Sequence, residues 1–297
     1  MILGRMGVRF GWAVGTSLLA LFAVWSLGAC GADGSARLSG AVAFANANPQ
    51  TEAFLAAPGT GYVQAYVRFG PDLADDVIIF VDQELIEGVN SPRWVSGGDW
   101  MALVGVQRSG AVWVGGGSQQ TLKGQPSSDR AWVIHDLHQR LQPDTWYRLR
   151  VVADFAQRRF DSFTIQGGDL NRTLDLSAVL LDYPNYMPFD KKGLIYIVGA
   201  MRSKAMMARV GVPLVYFDDV EGGVVLPNGS MQRLFSDSFE TQAIVGPQPV
   251  TSPTISLKRY TLGQWYLERE ESLFRIENAS FARSGGKVGV ADTKLPD

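Results

Sequence analysis

The stretch Asp144 to Gln166, DTWYRLRVVADFAQRRFDSFTIQ, constrains the fold more than any other part of the chain. Tyr147, Leu149, Val151, Ala153 and Phe155 fall on one face of an extended segment, while Trp146, Arg148, Arg150 and Asp154 fall on the other. That is the pattern of a half-buried strand. Ala156 to Arg159 makes a polar connection, Phe160 to Gln166 alternates again, and Gly167-Gly168 stops it. The two runs predict an antiparallel hairpin.

Strand patterns recur on both sides of it. Tyr62 to Phe69 alternates and ends at Gly70-Pro71, and Leu38 to Phe44 forms a more modest strand. Val77 to Val81 is a continuous apolar run, as expected of a strand covered on both faces. Trp100 to Gln107 and Ala111 to Val114 flank Arg108-Ser109-Gly110, which predicts a hairpin with a Gly-containing loop. Gly115 to Arg130 reads as a surface loop, Trp132 to Leu137 as a strand, Asp169 to Asp190 as a long irregular connection, and Leu194 to Val198 as a strand. There are no heptads and no long amphipathic helix, and the glycines cluster between apolar runs. An all-β domain of short strands and tight turns follows.

Residues 1–29 belong to export rather than to the fold: Arg5 and Arg9 precede an apolar run from Trp12 to Leu27, which ends in small residues. The following Leu27-Gly28-Ala29-Cys30 resembles the lipobox of bacterial lipoproteins. The resemblance implies cleavage before Cys30, lipid on Cys30, a tether over 30–37 and a folded domain over 38–297 in the bacterial cell envelope, at the outer membrane or the cell surface. Cys30 is also the only cysteine, so it has no partner for an intramolecular disulfide. Removing Arg5 and Arg9 from the 27 basic residues leaves 25 against 29 acidic ones, a formal charge of −4. That balance excludes the basic footprint of a nucleic-acid binder.

The central run of a Trp, a strand, an Asp, a short basic turn and a second strand resembles the middle of the concanavalin A-like jelly roll, the sandwich of lectins, glucanases and laminin-G-like modules. Tyr216-Phe217-Asp218-Asp219-Val220 is similar to the closing strand of that family. Leu234 to Glu240, Trp265 and Gly285 to Asp292 resemble its opening strands, although they come last here. An isolated strand pair would be only marginally stable. The tail, 228–297, either completes the same sandwich in permuted order, the favoured expectation, with Thr241 to Ser256 as a bridging loop, or starts a second, unfinished copy.

Several residues carry candidate chemistry. Asp82, Glu84 and Glu87 place three carboxylates in six residues, with Asp82 and Glu84 on one face of an extended chain, just past the end of the Val77 to Val81 strand. The jelly-roll lyases use a His and a Tyr near an Arg, which makes His135 and Tyr147 a candidate neutraliser and base. His138, three residues from His135, faces the other side of a strand. Asp218, Asp219, Asp237 and Glu240 supply the hard oxygen ligands that a structural calcium would take in such modules. For a sugar, an exposed aromatic ring with polar neighbours is the useful unit. Trp94 and Trp113, with Asp99 and Gln119, are the candidates, whereas Trp100 shares the core face of Ala102 and Val104.

The resemblance and the missing lyase and glucanase signatures together favour a membrane-anchored lipoprotein that binds a polysaccharide or envelope glycan without catalysis. A polysaccharide lyase or glycoside hydrolase is the alternative, and a structural envelope protein the third.

Overall fold

A computed structural model describes residues 38–46, 59–87, 99–122, 131–183, 192–203, 214–240, 243–246, 263–267 and 274–292. The export segment, Cys30, the tether and Trp94 lie outside the described residues. Within them the chain forms β1 (Leu38–Asn46), β2 (Thr60–Phe69), β3 (Ile78–Ile86), β4 (Asp99–Met101), β5 (Val104–Gln107), β6 (Ala111–Gly116), a helical turn α1 (Gln119–Leu122), β7 (Ala131–Asp136), β8 (Tyr147–Asp154) and β9 (Arg159–Gly167). It continues with β10 (Leu170–Asp175), β11 (Gly193–Ser203), β12 (Leu214–Val225), β13 (Met231–Asp237), β14 (Trp265–Leu267), β15 (Phe274–Asn278) and β16 (Lys287–Asp292).

Two antiparallel sheets hold these strands. The first runs β14-β1-β11-β3-β5-β6-β7 with β4 also on β3, and the second runs β10-β9-β8-β2-β12-β16-β15 with β13 also on β12. Side chains from facing strands fill the space between them: Val63, Ala65 and Val67 of β2, Leu149 and Val151 of β8, and Phe217 of β12 meet Ile79 and Val81 of β3 and Val198 of β11. The molecule is an antiparallel jelly-roll β-sandwich. The predicted core face of the central hairpin, Tyr147 through Phe155, is buried in this layer.

Each sheet has one long strand that changes partner midway on one side. Strand β12 pairs with β2 along one edge, and with β16 and then β13 along the other. Strand β3 pairs with β11 along one edge, and with β5 and then β4 along the other. Polar residues sit at both changes of partner: Asp218 and Asp219 in β12, Asp82 and Gln83 in β3. Strands from the tail are built into both sheets, with β14 on β1 and β16 on β12.

Four segments differ from the sequence expectations. Strand β3 does not stop at Val81 but runs through Ile86, so Asp82 and Glu84 sit inside a strand. The Trp100 to Gln107 run divides into β4 and β5, because Ala102 donates its N–H to the Gln83 carbonyl where β3 passes from one partner to the other. Gln119 lies on α1 rather than in a plain loop. The connection after Gly168 opens with β10, an edge strand on β9 whose residues are mostly exposed. An edge strand with polar residues on both faces has no alternation to reveal it.

Candidate functional site

Alternation along β3 sends Ile79, Val81, Gln83 and Leu85 into the sandwich and Ile78, Phe80, Asp82, Glu84 and Ile86 to the opposite, outer face of the first sheet. Register extends that outer face laterally. Asp82 pairs with Ile197 and Glu84 with Ile195 on one side, and Glu84 pairs with Met101 and Ile86 with Asp99 on the other. Beyond β5, Trp113 lies opposite both Gly105 and Ile134, and Trp132 opposite Gly115. Tyr266 of β14 joins the same apolar cluster.

Two zones result. The middle is a buried apolar floor, Phe80, Met101, Leu103, Ile195 and Ile197, into which three carboxylates are set: Asp82 at 0%, Glu84 at 5% and Asp99 at 2% exposure. Buried carboxylates are costly to desolvate unless they are paired or hydrogen-bonded. The flank is aromatic and half-buried. Trp113 and Trp132 meet edge to face at 5.7 Å, beside Ile134, which is 54% exposed. Trp132, Ile134 and Tyr266 were not singled out in the sequence. The alternation of Trp132 and Ile134 with Val133 was readable there, but their neighbours across β6 and β7 were not.

The other sequence candidates separate. Asp82 and Glu84 share the outer face as expected, while Glu87 leaves it. Glu87 is buried beyond the strand end, facing Arg158, whose guanidinium lies 4.5 Å over the Trp100 ring. Burial lowers the Arg158 pKa, and Glu87 opposes that shift. Trp100 is core as expected, stacked on Tyr183 at 4.8 Å. Asp99 is not a loop residue but a buried member of β4, and Gln119 is exposed on α1.

His135 and Tyr147 do not form the expected unit. His135 points inward from β7 beside Val133 and Val112, whereas Tyr147 is buried in the second sheet with its hydroxyl accepting the Gln142 N–H at 2.8 Å. His138 stands past the end of β7 in a turn with φ 54°, paired with Asp136 at 3.3 Å.

The expected calcium ligands are likewise dispersed. Asp218 accepts backbone N–H groups from Arg283 at 2.7 Å, Ser284 at 3.3 Å and Asp219 at 2.7 Å. Asp219, at φ 45°, takes the Arg283 guanidinium at 3.2 Å. Asp237 accepts from Phe239 N–H at 2.7 Å and from the Trp265 indole at 2.6 Å. Glu240 Oε1 accepts from Gly286 and Lys287 N–H at 2.9 and 2.8 Å. These carboxylates fasten the 281–287 loop and β14 to the middle of β12 and the end of β13. Among the described residues no three acidic, His or Cys side chains stand together as a metal cage. Burial raises the pKa of both Asp218 and Asp237, against the hydrogen bonds they accept, which lower it.

No protein-family model matches the chain, and none of the curated proteins does. Among solved structures, scytalido-glutamic peptidase with a transition-state analogue inhibitor aligns at 10% identity and a TM-score of 0.32, over 84% of this chain and 96% of the peptidase. An alginate lyase from Pseudomonas aeruginosa aligns at 11% and 0.28, over 56% of this chain and 65% of the lyase. An endo-β-1,4-glucuronan lyase from the fungus Trichoderma reesei aligns at 13% and 0.26, over 50% and 69%. At these values the likeness assigns no function. The sandwich is defined by its own strand pairing.

Proposed function

We propose that the outer face of the first sheet binds a glycan, in a protein held at a membrane through a lipid on Cys30. The observation that carries the binding site is the half-buried Trp113 and Trp132 pair beside the carboxylate-bearing floor. A ring offers an apolar plane to the C–H face of a sugar, and on this face the accessible residues are Trp113, Trp132 and Ile134. The anchor is supported by the order of basic, apolar and small residues before Cys30.

A second reading rests on Asp82 and Glu84. Two residues apart on one strand face, they set two carboxyl groups side by side, and a pair of carboxyl groups is what glycoside hydrolysis uses. The same screen separates the readings: purified full-length chain is tested against a panel of polysaccharides for retention and for released reducing ends or new ultraviolet absorbance. Retention without turnover that weakens about tenfold, or ~1.4 kcal/mol, in Trp113→Ala and again in Trp132→Ala supports binding on this face. Turnover abolished by Asp82→Asn or Glu84→Gln replaces it with hydrolysis. Retention unchanged in both tryptophan variants, with melting temperatures preserved, overturns the site.

A further inference from the structure

The second sheet has an outer face of quite different chemistry. Because Leu149 and Val151 point into the core, Arg148 and Arg150 project from β8 to the outside. Register sets Tyr66 and Gln64 of β2 opposite them on one side, and Gln166 and Thr164 of β9 on the other. One strand further out, Asn171 and Thr173 of β10 continue the rows, with Gln166 donating to Asn171 at 2.8 Å and the two threonine hydroxyls 3.0 Å apart. The result is a field of amides and hydroxyls around two guanidinium groups.

Those two differ from their neighbours. Arg68 pairs with Asp144 at 3.0 Å, Arg233 with Glu221 at 3.3 Å, Arg275 with Glu277 at 2.5 Å and Arg283 with Asp219 at 3.2 Å. Arg148 and Arg150 instead donate to amide oxygens, those of Gln166 and Gln64, the second at 2.8 Å. Gln64 is buried, and its other amide atom donates to Glu221 at 2.8 Å, so this partner is held in place by a further contact. Neutral amides orient the guanidinium groups without cancelling their charge. Each retains donors for an anion, which Arg receives with two parallel bonds where geometry allows. Burial lowers the Arg150 pKa and the like charge of Arg148 lowers it further, while Glu221, which holds the far side of Gln64, opposes the shift.

We propose that Arg148 and Arg150 form a binding strip for an anionic polysaccharide, one bearing carboxylate or sulfate groups, on the face opposite the tryptophan pair. The two guanidinium groups receive successive anionic groups about 7 Å apart along the strand. Gln166, Asn171, Thr164 and Thr173 meet the intervening hydroxyls. A polymer suits the site better than a single ion, because the charges and the hydroxyl and amide groups are spread over adjacent strands rather than gathered in a pocket. The overall negative charge of the chain and the carboxylates bordering the strip oppose the dense phosphate array of a nucleic acid.

The test uses purified full-length chain with alginate, dextran sulfate, uncharged dextran and a single-stranded oligonucleotide as probes, at low and raised salt. Expected are retention of alginate or dextran sulfate that weakens with salt, none of dextran through this face, and a loss of at least tenfold in Arg148→Gln/Arg150→Gln. Arg148→Lys/Arg150→Lys retains part of the affinity. The salt-dependent retention of the anionic polymers reports this strip, and any salt-independent retention of uncharged dextran reports the glycan site of the first sheet, which separates the two. Unaltered anion binding in the glutamine variant, with its melting temperature preserved, overturns the proposal. So does oligonucleotide binding equal to or tighter than that of the anionic polysaccharides, or indifference to salt.

Discussion

At the scale of single residues, the buried carboxylates Asp218 in β12 and Asp237 at the end of β13 have a pH signature opposite to the usual one. The folded-state pKa of Asp237 is raised by burial, although Phe239 N–H and the Trp265 indole favour its charged form. Between the ordinary Asp range and the raised value, the native state holds a proton that the unfolded state has lost. Stability contributed by this group is therefore present at low pH and lost as pH rises through the folded pKa. Denaturant titrations of the wild type and Asp237→Asn over pH 4 to 7 are expected to give a stability difference that moves against the wild type as pH rises, and a movement in its favour would contradict this assignment. The residue-level chemistry was only partly legible in the sequence. The shared face of Asp82 and Glu84 follows from a period of two. The use of Asp218, Asp237 and Glu240 as loop fasteners depends on Ser284, Trp265 and Gly286, dozens of residues away in sequence.

At the scale of elements, legibility tracked burial on one face. Strands β2, β8 and β9 have one apolar and one polar face, and their alternation identified each of them and the β8–β9 hairpin. Strand β3 is buried on both faces, so its polar half, Asp82 to Glu84, looked like a strand end when read along the chain. Strand β10 is mostly exposed and had no pattern to read. The tail strands are held by distant partners: β14 by β1, and β16 by β12, with Val288, Val290 and Ala291 buried. Deleting 263–297 is expected to uncover one edge of each sheet and part of the core. Loss of the near-ultraviolet circular dichroism signal and of a cooperative thermal transition is the expected readout. A truncated chain melting within a few degrees of full length would make the tail an appendage.

At the scale of the whole molecule, the two outer faces offer unlike chemistry on opposite sides of one sandwich: half-buried tryptophans on the first sheet, guanidinium and amide on the second. The proposed anchor sets how those faces meet their surroundings. Wild-type chain expressed in a bacterial host is expected to incorporate labelled palmitate and to partition with membranes. Cys30→Ala is expected to lose both, and label retained in that variant would remove Cys30 as the attachment point. The pairing of β1 adds a mechanical consequence. This strand lies between β11 and β14, with nine residues in register against β11 from Leu38 to Asn46. A pull along the strand axis through the residues before Leu38 would have to shear that row of backbone hydrogen bonds together rather than unzip them one at a time. With the proposed attachment at Cys30 and a polymer held on either face, the sandwich would carry tension through that row of bonds.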